Sequence, residues 1–281
     1  MAAEAVAEAV SAASAAAADT YIAASADAVA AASQAAAAPG SAAAVLNGLY
    51  WFVMVPMVYL AVIVLVAGVV GRLIAILRAP PPPFSLKLHP AAKRPGLAAL
   101  RDTFAMPQVR KHAPLFWVFL MVYHVAFLLL IVSHLDLFPR LDVMPSASKH
   151  MVGWGAVGVA VTVSTFYFIV RRFRGENRRI SIPADYLLLL LLLFTFLFGD
   201  FMSWSNSWGA RGFVMSKQDF AKYFEILGRF SFADPRTVLR GSHYHFVVIH
   251  VLLANLTMIV LPFTKVIHTF FSMPINLLRR R

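Results

Sequence analysis

Four histidines stand inside two strongly apolar stretches of the chain: His124 and His134 in one, His250 and His268 in the other. An ionisable side chain at membrane depth is costly, so its presence there points to function. Imidazole is also a standard axial ligand of haem iron. Taken singly, a histidine in a helix bundle is more commonly a hydrogen-bonded structural group. Two on each of two segments, at compatible depths, can supply two ligands to each of two haems. His243 and His245 are alternatives to His250, but they fall at the water boundary and fit the depth less well. His89, His112 and His150 fall in loops or at segment ends, where water solvates them.

The elements that must position these histidines are membrane helices. Of 281 residues, 60% are hydrophobic and 14% charged, a balance that no soluble domain of this size has. Five apolar spans are expected, at about 48–71, 114–135, 150–170, 184–202 and 244–267. At 1.5 Å per residue each crosses a hydrocarbon layer of about 30 Å, the fourth only just. Pro56 would kink the first, and Gly153, Gly155 and Gly158 would let neighbours approach the third closely. The expected fold is therefore an all-α, five-transmembrane-helix bundle. Residues 1–46 are mostly alanine, with Glu4, Glu8, Asp19 and Asp27 and no basic residue. They lack the basic start of a signal peptide and read as a mobile or marginally helical tail before a domain at 47–281.

Cysteine is absent, which excludes iron–sulfur clusters, cysteine-ligated zinc and disulfides within this chain. The formal net charge of +12 lies beside the spans and reads as topology signal and as anionic-lipid or partner contact, not as a nucleic-acid surface. Seventeen of the 25 basic residues fall after span one, after span three and at the C-terminal end, and eight on the opposite face. The positive-inside rule then places the N-terminus outside and the C-terminus in the cytoplasm. The loop 72–113 also carries Pro80–Pro83, a stiff spacer suited to docking a soluble electron-transfer partner.

With spans two and five antiparallel, His134 pairs with His250 near the outer face and His124 with His268 near the inner face. The first two spacings differ: 124 to 134 is about 15 Å of helix and 250 to 268 about 27 Å. Tilt, canted haem planes and a kink at Pro262 are expected to absorb the difference. Eighteen residues make five whole turns, so an unbroken helix would carry His250 and His268 on one face.

Five spans with the N-terminus outside, and ligand histidines only in spans two and five at spacings of 10 and 18, resemble the gamma subunit of respiratory nitrate reductase over about residues 47–281. The segments Val122-Tyr123-His124 to Ser133-His134, and Leu261-Pro262-Phe263-Thr264-Lys265-Val266-Ile267-His268, are similar to a branch of membrane cytochromes b in heterodisulfide-reductase-like complexes of sulfate reducers. The resemblance implies two b haems held by His124, His134, His250 and His268, and electron exchange with a membrane quinone, menaquinone, near the outer haem. It implies a cytoplasmic iron–sulfur partner at the inner haem, and in some relatives a periplasmic multihaem cytochrome c. It makes Lys149 and Asp136 candidates for the quinone site, with Asp200 a second proton-exchanging group. The chain would then be an electron-transfer subunit in the bacterial or archaeal cytoplasmic membrane. A hydrogenase- or formate-dehydrogenase-type cytochrome b is disfavoured because span one lacks histidine. A haem-free transporter or channel relaying protons through the histidines is the alternative from another class, disfavoured by the absence of an internal repeat and the scarcity of acidic residues.

Overall fold

The structure is a computed structural model that describes residues 42–80, 92–138, 141, 143, 155–208, 217–239, 243–265 and 268–280. Among these residues all regular structure is helical. The chain divides into two compact units, Met1–Tyr50 and Trp51–Arg281. Of the first, only 42–50 is described, the opening of helix α1 (Ala42–Met54). The rest of the alanine-rich tail lies outside the described residues, as do Lys149, His89 and His150.

The second unit continues with α2 (Pro56–Leu77), α3 (Pro95–Phe104), α4 (Pro107–His112), α5 (Pro114–Leu135) and α6 (Ala156–Arg172). It ends with α7 (Gly175–Ile180), α8 (Pro183–Trp208), α9 (Lys217–Gly228), α10 (Tyr244–Val260) and α11 (His268–Arg280). Proline opens α2, α3, α4, α5 and α8. The first N–H groups of a helix have no partner within it, so a residue without that donor costs nothing there and its fixed φ favours the turn.

Four stretches are long and apolar enough to cross a membrane: Ala42–Leu77, Pro114–Leu135, Pro183–Trp204 and Tyr244–Phe263. The protein is an integral membrane protein. Helix α6, the counterpart of the expected third span, has 17 described residues, just short of a crossing. Its neighbours on either side are α5 and α8, and α10 packs between α8 and α2. Ala126, Val161, Leu188, Leu192 and Phe196 form the buried seam of α5, α6 and α8. Ile63, Val66, Val125, Leu128, Phe166 and Leu187 point outward. That inversion is what an acyl-chain environment permits, since lipid is as apolar as leucine.

Pro56 breaks the first long stretch, and the backbone at Val55 leaves the helical region (φ −126°, ψ −74°). A break in lipid strands carbonyls that must find donors. The hydroxyl of Tyr223 on α9 donates to the Met54 carbonyl at 2.6 Å, and the amide of Asn255 on α10 donates to that of Val53 at 3.0 Å. Both side chains are buried.

The expected fifth span departs from the sequence reading. Helix α10 ends at Val260, a 3₁₀ turn covers Leu261–Phe263, and Thr264 is extended (φ −108°, ψ 173°). His268 begins a separate helix, so a single helix face carrying both His250 and His268 does not exist. Pro262 removes a helical donor, and it nests against α2 at Gly68, where an added Cβ would stand 2.5 Å from the Pro262 Cβ. The helical rise over 250–268 therefore no longer sets the depth difference. The small residue on α2 is what lets the turn settle.

Candidate functional site: two histidine pairs

The break delivers His268 to α5. Its ring lies 6.3 Å, centroid to centroid, from that of His124, with planes at 66°. Ten residues further along, in the last turn of α5, the rings of His134 and His250 are 6.5 Å apart with planes at 18°. Two trans imidazoles on one metal, with bonds of about 2 Å, have centroids roughly 6 Å apart. His243 and His245 instead stack near each other, 6.4 Å between centroids, and His245 is exposed against Phe246.

Each of the four rings uses one nitrogen in the same way. Nδ1 of His124 lies 2.7 Å from the Leu120 carbonyl, and Nδ1 of His134 lies 2.8 Å from that of Leu130. Nδ1 of His250 is 3.0 Å from the Thr195 carbonyl, and Nδ1 of His268 is 3.2 Å from the Lys265 carbonyl. A carbonyl can only accept, so Nδ1 carries the proton and donates. The lone pair is left on Nε2, which is the arrangement of a metal-ligating histidine.

The carbonyl that receives His250 comes from another helix, and sequence reasoning missed it. Within α8 the helical donor to Thr195 would be the N–H of Gly199. An added Cβ at Gly199 would meet Cε1 of His250 at 3.2 Å. Glycine at 199 thus clears the approach of the ring to α8. The Thr195 hydroxyl donates to Leu191 at 2.6 Å and satisfies itself within its own helix.

His134 and His250 border a cavity of about 590 Å³ between α5, α6, α8 and α10. Its size falls in the range of cofactor sites, and its wall is mainly apolar. Asp136 and Asp200, both buried, also line it. Asp136 accepts from the Val143 N–H at 3.2 Å, and Asp200 accepts from the Thr162 hydroxyl at 2.8 Å. Gly158 makes room for the Asp200 carboxylate, which any Cβ there would strike. Tyr123 and Phe127 stack on one face of α5 and meet Phe196 edge-on, and Phe127 and Phe196 line the cavity.

Among the described residues no three His, Asp or Glu side chains gather around a point that could hold a bare metal ion. Two imidazoles per site is a number that a haem iron can take from protein, because the macrocycle fills the remaining positions. The donors present therefore fit haem and not a protein-only metal site.

The family model for the nitrate reductase gamma subunit matches residues 107–281, which include both histidine pairs. The chain belongs to the nitrate reductase gamma subunit family. Members of the nitrate reductase gamma family are membrane cytochrome b subunits of multi-subunit respiratory complexes, and the family binds haem b. Comparison with curated proteins gives no match. The gamma-family match begins at α4, so α1, α2 and α3 lie outside it.

Proposed function

We propose that this gamma-family chain is a five-helix dihaem cytochrome b. It carries electrons between a menaquinone pool and a cytoplasmic iron–sulfur subunit of the heterodisulfide-reductase-like kind. His134 and His250 would hold one haem and His124 and His268 the other. The observation that carries this reading is the recurrence, at the middle and at the C-terminal turn of α5, of two imidazoles roughly 6 Å apart with Nδ1 donating to a carbonyl.

When bound, the haems supply one-electron carriers at two depths in the membrane. The protein's part is to hold those depths. His124 and His134 are ten residues apart on one helix, about 15 Å. The Nδ1–H donors raise the basicity of each ring and keep Nε2 aimed across the space between α5 and the facing segment.

In this reading α6 belongs to the third of five spans, and Arg72 and Arg78 of α2 with the basic ends of α6 and α11 face the cytoplasm. The His134 end then faces outward, and quinol would meet the chain there. Asp136 and Asp200 are the groups that could take up its protons, with Lys149 a further candidate for the quinone site. A partner docks on the basic cytoplasmic face, and a periplasmic multihaem cytochrome c would meet the opposite one.

The test is a pyridine haemochrome assay of the purified chain, followed by rapid mixing with a menaquinol analogue. Two b haems per chain are expected. The His268→Ala variant should keep its remaining haem reducible by quinol, and the His250→Ala variant should lose that reduction. A chain without haem would sink the proposal, and wild-type reduction of the His250→Ala variant would remove quinol from the His134 end.

A further inference from the structure

Three of the four Nδ1 acceptors lie in regular helix, where the hydrogen-bond ladder fixes the carbonyl: Leu120 and Leu130 in α5, and Thr195 in α8. The fourth does not. Lys265, whose carbonyl receives His268, stands in 3₁₀ conformation just after the extended Thr264, outside the α-helical ladders. A carbonyl in such a segment needs something else to hold it.

The side chain of the same residue supplies a tether. Lys265 Nζ donates to Asp185 Oδ2 at 2.9 Å, although the two are 80 positions apart. Asp185 sits in the first turn of α8 with its side chain 7% exposed, whereas that of Lys265 is 63% exposed. The carboxylate is fixed independently of the lysine. It accepts from Arg172 Nη1 at 3.1 Å and from the Ile182 N–H at 3.2 Å. Arg172 is in turn held by Ser181, and its own carbonyl accepts from the Tyr186 hydroxyl. A rigid acidic anchor at the junction of α6 and α8 thus grips the backbone segment that orients His268.

We propose that Asp185 and Lys265 are positioning residues for His268. Their ion pair fixes the Lys265 carbonyl, and the carbonyl in turn sets the tautomer and aim of the His268 ring. The inference rests on the reading of His124 and His268 as a haem pair. A partner outside the ligand shell typically changes metal affinity 10–100-fold when removed, through orientation and ligand basicity.

The experiment uses the full chain in membranes and after purification, comparing Lys265→Met with Lys265→Arg and Asp185→Asn with Asp185→Glu. Because Lys265 is largely exposed, the Lys265→Met chain should fold even if Asp185→Asn does not. The readouts are haem content, the low-spin ferric resonance and the midpoint potential of each haem, with the His134/His250 haem as internal reference. In Lys265→Met the His124/His268 haem should bind about tenfold more weakly. Its retained fraction should titrate at a higher potential, because a ring that loses its Nδ1 acceptor is a weaker donor to ferric iron. Lys265→Arg should restore both properties. Unchanged resonances and potentials in Lys265→Met would overturn the positioning role, as would equal loss of both haems. A wild-type chain without haem would instead bring down the haem assignment itself, and this role with it.

Discussion

The ring planes of His134 and His250 lie within 18° of parallel, whereas those of His124 and His268 are turned 66° from each other. Parallel axial imidazoles donate into the same iron orbital and split the others, while crossed ones leave them closer in energy. If each pair holds a haem, the two should therefore give separate low-spin ferric resonances, the more anisotropic one from the His124/His268 site. Assigning that resonance to the other pair, by its loss in a His250→Ala chain, would show that the ring angles are not retained around iron.

Loss should also be pairwise. His134→Ala and His250→Ala should each halve the haem content and remove the same resonance, and His124→Ala and His268→Ala should each remove the other. Haemochrome stoichiometry with resonance spectroscopy checks this. If His245→Ala abolishes the haem assigned to His250 and His250→Ala spares it, the register of α10 is wrong.

At Gly199 the available space is narrow but finite. Alanine there must push the His250 ring by a few tenths of an ångström, since the contact would be 3.2 Å. Gly199→Ala should keep both haems and shift only the His134/His250 resonance. Gly199→Val should lose that haem, at an overpacking cost of about 1–3 kcal/mol. Retention of a wild-type spectrum by Gly199→Val would disprove the close approach.

Tyr223 offers a stability test away from the histidines. Tyr223→Phe leaves the Met54 carbonyl without its 2.6 Å donor beside the Pro56 break. The expected destabilisation is about 1–3 kcal/mol, with haem content unchanged. Thermal unfolding in detergent measures it, and a melting temperature equal to wild type would mean that the carbonyl finds another donor.

Much of the site could be read from sequence because histidines interrupt otherwise apolar runs. Adjacent spans that run in opposite directions also leave only one sensible pairing by depth. The break after Val260 was harder to see. Pro262 signals a kink, but the apolar run continues to Phe263 and resumes at Val266-Ile267 after Thr264 and Lys265, which hides a complete change of helix. What decides it is the fit of Pro262 on Gly68, a contact across 194 positions. The same limit hid Asp185 and the Thr195 carbonyl, whose roles arise only when α8 meets α10 and the segment after it. Asp136 and Asp200 were visible as isolated acids, but not their common cavity.

A continuous helix would have coupled its two histidines as teeth on one shaft, so that any rotation moved both. Interruption at 261–263 uncouples them. An added residue within α10 would turn everything beyond it by about 100° in an unbroken helix. Here the 3₁₀ turn at Leu261–Phe263 and the extended Thr264 can absorb such a change. The two histidine pairs can thus drift in sequence, or be re-engineered, one at a time.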